Sequence, residues 1–319
     1  MCKSSVEDIL SGIRSYNIVQ IMPIDINLTP TASFVGINRR SKPVHGGNAI
    51  ANPIPARTWG LAPDCRAAAL LVHGLGAHSG WYEALGRRLK VRGIFALAYD
   101  QVGFGKRAGE ELWMKQQWLD DLKDAYEYLR ETVGDKPIFI IGNSMGALVA
   151  LKSMVNTTPS GLVMFSPGFD GHPATFPLSY KVKTLLTALL KPDTPITLPY
   201  STDQITRDPI VRGWLNNDVD ARMTVPARML LELLKLTEEA KNTGRKLPSP
   251  VLMFTAGQET IVNNQVSEAV FARLVAPRKQ KHHFPEAWHD LMFDPVLDEL
   301  VDIMAAWMLE IGREKLQVS

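Results

Sequence analysis

Ser144 lies in Gly142-Asn143-Ser144-Met145-Gly146, with the apolar run Pro137 to Gly142 before it and a small-residue helical pattern after it. A serine at a strand-to-helix turn, with a glycine two residues away on each side, is the pattern of a nucleophile elbow. The turn is tight enough to strain the serine backbone, and side chains at Gly142 and Gly146 would collide where strand and helix nearly touch. The hydroxyl is thereby left at the top of a sheet. The Met145 N–H stands at a helix start, where a developing negative charge is favoured. Upstream, the strand-like run Ala67 to Val72 ends in His73-Gly74-Leu75-Gly76. A glycine-containing turn there presents backbone N–H groups to the space above Ser144, so the amides of Leu75 and Met145 are the predicted oxyanion hole. Each such donor is worth roughly 3–4 kcal/mol in acyl-transfer enzymes. The competing reading of the upstream segment is an ordinary strand-to-helix turn.

Composition is compatible with an enzyme of this kind and excludes several others. The 319 residues are 45% hydrophobic and 21% charged, ordinary for a globular protein with a real core. With 35 basic and 33 acidic residues the net charge is +2, and nucleic acid is not expected as a partner. Only Cys2 and Cys65 occur, which argues against a disulfide framework and for a reducing compartment. The first ten residues lack the basic-then-apolar layout of a secretory signal, and no uncharged apolar run approaches membrane-spanning length. The expected location is the cytoplasm.

The elements that must position these residues are also legible. Apolar runs at Ala67 to Val72, Ile94 to Tyr99, Pro137 to Gly142, Gly161 to Phe165 and Pro250 to Phe254 read as strands buried on both faces, and Lys279 to Phe284 as a sixth. Helical patterns lie between them at Gly80 to Arg92, Trp113 to Thr132, Ser144 to Val155 and Asn264 to Leu274, with Pro295 to Ile311 last. Such alternation implies right-handed crossovers and a mostly parallel sheet. It breaks between about Asp170 and Lys246, where helical patterns at Tyr180 to Leu190 and Thr224 to Thr243 occur with no convincing strand. An insertion of that length reads as a helical cap rather than a loop. Before Ala67 only weak strands are expected, around Ile18 to Ile24 and Ala56 to Trp59.

The segments HGLGAHSGWY, DQVGFGKR, GNSMG, ITRDP, MLLELL and AWHD, in this order, resemble the α/β-hydrolases of the monoacylglycerol lipase and lysophospholipase group. The resemblance covers about Arg57 to Met308. It implies an α/β-hydrolase fold: a mostly parallel eight-stranded sheet flanked by helices, with a helical cap inserted between strands six and seven. The expected organisation is an N-terminal extension at 1–55, a core at 56–169 and 247–319, and a cap at 170–246. It also implies a triad in the order serine, acid, histidine. Of the seven histidines, His282, His283 and His289 fall near the C-terminal end. His282 and His283 sit within the last strand, whereas His289 follows the turn Pro285-Glu286-Ala287, where a loop can swing an imidazole over Ser144. His73 is the rival, with bracing of the oxyanion turn its expected work. For the acid, the position that resembles the family's aspartate is Glu259, ahead of Ile261-Val262; glutamate can serve because the role is to accept the imidazole N–H. Asp170 is the alternative, and Asp290 is expected to point away. The turn at Asp100 to Gly105 departs from the related pattern at Phe104 and Lys106 and is assigned no catalytic work.

The implied activity is hydrolysis of carboxylic esters of monoacylglycerol or lysophospholipid type through an acyl-enzyme, with no metal or organic cofactor. An acyltransferase or thioesterase would use the same residues, and an aminopeptidase or a non-catalytic binding protein are the further alternatives. In the cap, Leu185, Leu186, Leu189 and Leu190 share a helix face with Lys181, Lys183 and Lys191 around it. The face either packs on neighbouring helices or meets a membrane surface transiently. A second stripe, Met229, Leu230, Leu231, Leu233 and Leu234, either packs the cap or lines an acyl tunnel.

Overall fold

The computed structural model describes residues 31–40, 52–154, 156–242 and 247–318. These form an eight-stranded sheet in the order β1-β2-β4-β3-β5-β6-β9-β10. The strands are β1 (Ser33–Ile37), β2 (Ile54–Trp59), β3 (Ala67–Val72), β4 (Ile94–Tyr99), β5 (Ile138–Asn143), β6 (Gly161–Phe165), β9 (Val251–Ala256) and β10 (Lys279–Phe284). β1 and β2 pair antiparallel, as do β2 and β4, and every other neighbour is parallel. This is the mostly parallel α/β-hydrolase sheet expected from the sequence. The five continuous apolar runs became β3, β4, β5, β6 and β9, each buried along its whole length. β10 alternates exposed and half-buried residues instead, with Lys279 and Lys281 on its open edge, where charge discourages pairing with another chain.

Helices α1 (Glu83–Val91), α2 (Gln116–Val133), α3 (Met145–Ser153), α8 (Asn264–Arg273) and α9 (Leu297–Val318) connect or follow the strands. β1 lies inside the stretch expected to be an extension: residues 33–37 close the sheet on the β2 side, and β2 begins at Ile54. Five residues of mixed polarity with one buried, Ile37, carry too little periodicity to announce a strand. The expected strand at Ile18 to Ile24 lies outside the described residues.

Between β6 and β9 the chain forms α4 (Leu178–Leu190), β7 (Pro195–Thr197), α5 (Thr202–Ile205), α6 (Pro209–Asn216), β8 (Thr224–Pro226) and α7 (Ala227–Asn242). The expectation of no strand here needs correction, since β7 and β8 pair antiparallel over three residues. Two prolines and so short a length hide this ribbon from any period-2 test. The helix read from Thr224 starts after it, at Ala227. Packing of α4 against α7 encloses one cavity above the carboxyl ends of β3, β5 and β6, with the α7 stripe and Leu185 of α4 facing it.

Candidate active site

Ser144 takes φ 52° and ψ −114°, left-handed backbone that costs a non-glycine residue about 1–3 kcal/mol. The surroundings that impose it are visible at the flanking glycines. A Cβ on Gly142 would stand 2.4 Å from the Gly146 carbonyl oxygen, and one on Gly146 would stand 2.0 Å from the Val72 carbonyl oxygen. Strand β5, helix α3 and the end of β3 are therefore in backbone contact, and only glycine fits between them. Gly74 and Gly168 approach from either side, each within 3.5 Å of Ser144 atoms for an added Cβ.

The turn at Gly74-Leu75, where an oxyanion hole was expected, is fixed by a buried imidazole. The Gln101 N–H donates to His73 Nε2 at 3.1 Å, so that nitrogen carries a lone pair. The His73 proton then sits on Nδ1, which donates to the Gly74 carbonyl at 2.8 Å. Burial pushes the His73 pKa down to about 4, which keeps this tautomer neutral at physiological pH. The Gly74 carbonyl and the Leu75 N–H belong to one planar trans peptide, so fixing the oxygen aims the N–H the opposite way. The next peptide is held from the cap: the Tyr200 hydroxyl donates to the Leu75 carbonyl at 2.9 Å. Leu75 and Met145 both face the cavity, and both amides are left without a partner among the described residues. The turn at Asp100 to Gly105 supports this arrangement from behind. Phe104 meets the His73 ring edge-on at 5.6 Å, and Asp100 accepts the Ser79 and Lys106 N–H groups at 2.8 and 2.9 Å.

His289 and Glu259 are brought together at the C-terminal side. His289 Nδ1 and Glu259 Oε2 are 2.7 Å apart, and Glu259 Oε1 accepts the Ile261 and Val262 N–H groups at 2.7 and 3.1 Å. Burial alone would raise the Glu259 pKa, but the His289 charge and hydrogen bond, with the two amides, outweigh it and hold the carboxyl below its usual range. Burial likewise opposes an imidazolium at His289, yet the Glu259 charge and hydrogen bond, helped by Asp290, raise its pKa. An imidazole fixed by its Nδ1–H has its Nε2 free to take a proton. Ser144 and His289 line the same cavity without a hydrogen bond between them, and contacts of this kind commonly tighten only when substrate binds.

The other candidates are placed elsewhere. Asp170 faces the cavity but is engaged by Lys181 Nζ at 2.8 Å and its own loop's Gly171 N–H. His282 stacks on Phe254, and His283 pairs with Thr255. Asp290 does not point away: it lines the cavity and accepts the Asn143 side-chain N–H at 2.5 Å. Burial pushes its carboxyl up. One further feature was not anticipated. Ser166, itself at φ 38°, donates to the His289 carbonyl at 2.8 Å. It directly follows β6, and the carboxyl ends of parallel strands are where functional groups collect, which was the available signal.

The cavity measures about 450 Å³ and runs from Ser144 along α7, past Leu230, Leu231 and Leu234, to Thr237 and Lys241. Leu230 and Lys241 are three helical turns apart, about 16 Å. The stripe on α7 thus lines the cavity, while Met229 at its start is fully buried. On α4 the expectation of packing is met only in part: Leu185 lines the cavity, but Leu186, Leu189 and Leu190 are 53%, 62% and 78% exposed. Among the described residues no helix is long and apolar enough to cross a membrane, and no cluster of metal-ligating side chains occurs.

A family model described as serine aminopeptidase, S33, matches residues 63–296. The human monoglyceride lipase is 21% identical over 252 residues, covering 77% of this chain and 83% of its own. A phospholipase of Bacillus subtilis is 26% identical over 243 residues, covering 72% of this chain and 90% of its own. Among solved structures, a soluble variant of the monoglyceride lipase of Saccharomyces cerevisiae, in complex with a substrate analog, superposes with a TM-score of 0.75 at 18% identity. That superposition covers 89% of this chain and 98% of the yeast chain.

Proposed function

We propose that this chain, which belongs to the serine aminopeptidase S33 family of α/β-hydrolases and to its monoglyceride-lipase group, hydrolyses carboxylic esters of monoacylglycerol or lysophospholipid type through an acyl-enzyme. The observation that carries the reading is the pairing of Ser144, strained at an elbow and facing the cavity, with a buried His289–Glu259 couple facing the same space. In the first step His289 Nε2 takes the Ser144 proton as Oγ attacks the ester carbonyl. The oxyanion that forms lies between the Leu75 and Met145 amides, and Glu259 stabilises the imidazolium through Nδ1–H. Collapse breaks the bond to the leaving oxygen, which receives the proton from His289. Water, deprotonated by the same imidazole, then attacks the acyl-serine and releases the acid.

The segment at 170–246 acts as the cap in this reading. The cavity's leucines suit an acyl chain, and the charged side chains that line it include the ion pairs Asp170–Lys181 and Glu238–Lys241. The exposed Leu186, Leu189 and Leu190, with Lys183 and Lys191 beside them, fit the outer face of α4 to an anionic lipid surface. Labelling by a fluorophosphonate, followed by hydrolysis of esters of graded acyl length, tests the reading. Wild type is expected to label and Ser144→Ala not to; an unlabelled wild type refutes it.

A further inference from the structure

Asp290 and Asn143 have no part in the proton path described above, yet each is the immediate chain neighbour of a residue that does. Asn143 precedes Ser144 at the end of β5, and Asp290 follows His289. Their side chains meet at 2.5 Å, across 147 positions of sequence, with both residues buried and both lining the cavity. On the proposed acyl-transfer reading, we infer that Asp290 is a positioning residue: its side chain, held by Asn143, sets the His289 loop against the strand end that carries Ser144.

The rest of the loop shows why this tie is needed. Its backbone is held at several points, among them the His289 carbonyl, which accepts the Ser166 hydroxyl at 2.8 Å, the Ala287 carbonyl, which accepts the Gln258 N–H at 2.9 Å, and the Asp290 N–H, which donates to the Ile205 carbonyl of the cap at 3.1 Å. Glu259 fixes the imidazole through Nδ1 at 2.7 Å. Each of these refers the loop to β6, to the cap or to the loop after β9. Among the described residues, the Asn143–Asp290 contact is the hydrogen bond that refers this loop to β5, the strand that leads into Ser144. Serine and imidazole must meet within hydrogen-bond reach during turnover, and a misplacement of about 1 Å there costs on the order of 100-fold in rate. The carboxyl is pushed up by burial, and an acceptor oxygen is what Asn143 requires of it, so an amide at this position preserves the contact.

The test compares Asp290→Ala, Asp290→Asn, Asn143→Ala and the Asn143→Ala/Asp290→Ala double variant of the full chain, using a p-nitrophenyl ester and the fluorophosphonate labelling rate. Asp290→Ala and Asn143→Ala are each expected to lower kcat and labelling roughly 10- to 100-fold with KM nearly unchanged, the size of one lost hydrogen bond to a charged or buried partner. Asp290→Asn is expected to recover most of that loss, and the double variant to be no slower than the slower single. Should Asp290→Ala fail to fold, Asn143→Ala and Asp290→Asn still decide. Asp290→Asn as slow as Asp290→Ala or Asn143→Ala, a loss confined to KM, or losses that multiply in the double variant would overturn the inference while wild-type labelling leaves the hydrolase reading intact. A wild type that does not label overturns both.

Discussion

Replacing Glu259 by glutamine tests how the base is oriented. One carboxylate oxygen faces His289 Nδ1 at 2.7 Å, and the other accepts the amides of Ile261 and Val262. A glutamine has one acceptor oxygen, so it cannot serve both sides. Where it keeps the two amides, its NH2 faces Nδ1, and the imidazole must present a lone pair there. The proton moves to Nε2, the atom that should receive the serine proton. The same tautomer error in a serine-protease triad costs about 10⁴ in kcat, or about 5.4 kcal/mol at 1.36 kcal/mol per decade. A kcat roughly 10³- to 10⁴-fold lower with KM little changed is therefore expected for Glu259→Gln. Asp170→Asn, whose carboxylate faces Lys181, should turn over almost as wild type.

The same variant has a signature in pH. The His289 pKa is raised from 6.5, so its stabilising charge is complete below 6.5 and lost as pH climbs through the folded-state value. The Glu259 pKa is lowered from 4.5, so its contribution is complete above 4.5 and lost as pH falls through the folded-state value. The couple accordingly stabilises most between 4.5 and 6.5. The melting-temperature deficit of Glu259→Gln should be widest in that window and shrink toward alkaline pH. Activity runs the other way, because the base must be neutral: wild-type kcat/KM should fall below a midpoint above 6.5. A Glu259→Gln enzyme within about tenfold of wild-type kcat, or a deficit that widens on the alkaline side, would refute this account.

Three further outcomes are expected. Gly146→Ala places a methyl 2.0 Å from the Val72 carbonyl oxygen, backbone that cannot yield cheaply, and should cost about 3 kcal/mol or more in thermal or urea unfolding. His73→Phe removes the donor that fixes the Gly74–Leu75 peptide and should lower kcat by about 10- to 100-fold with KM nearly unchanged, measured on a soluble ester. Exchanging Leu186, Leu189 and Leu190 for glutamate should abolish co-sedimentation with anionic phosphatidylglycerol vesicles while leaving hydrolysis of a soluble short-chain ester intact.

What the sequence made legible was set by distance along the chain. The five fully buried strands could be read from their own residues, because a strand covered on both faces needs nothing but apolar side chains. The elbow was equally local, its glycines and serine lying within five positions. Glu259 and His289 could be placed because a resemblance supplied their order; no pattern in either segment alone requires that they touch. β1 and the β7–β8 ribbon escaped because they are short, carry proline or mixed polarity, and owe their form to the partner strand. The Leu186–Leu190 face was ambiguous for a different reason: amphipathicity fixes that a helix has an apolar side, not what covers it.

The contacts that remained hidden share one property: they join loops and strand ends far apart in sequence. Ser166 reaches the His289 carbonyl, Tyr200 the Leu75 carbonyl and Asn143 the Asp290 carboxyl, over separations of 123, 125 and 147 positions. None uses an unusual residue type, so none leaves a signature in composition or spacing. Each nevertheless holds a peptide or side chain adjacent to a group with a proposed chemical role. The division of labour follows from the fold. Atoms that would meet the reacting carbonyl stand on turns pressed between buried strands, where backbone contact at Gly142 and Gly146 leaves no slack. The wall that would meet the acyl chain is carried mainly by α7, with Tyr180, Thr184 and Leu185 of α4 facing it; elsewhere on α4 Ala188 is buried and most leucines face outward. A helix with so few buried apolar contacts belongs to the low-stability end of a structure. Substitutions on α4 should therefore change which esters are accepted long before they change how fast an accepted ester is cleaved.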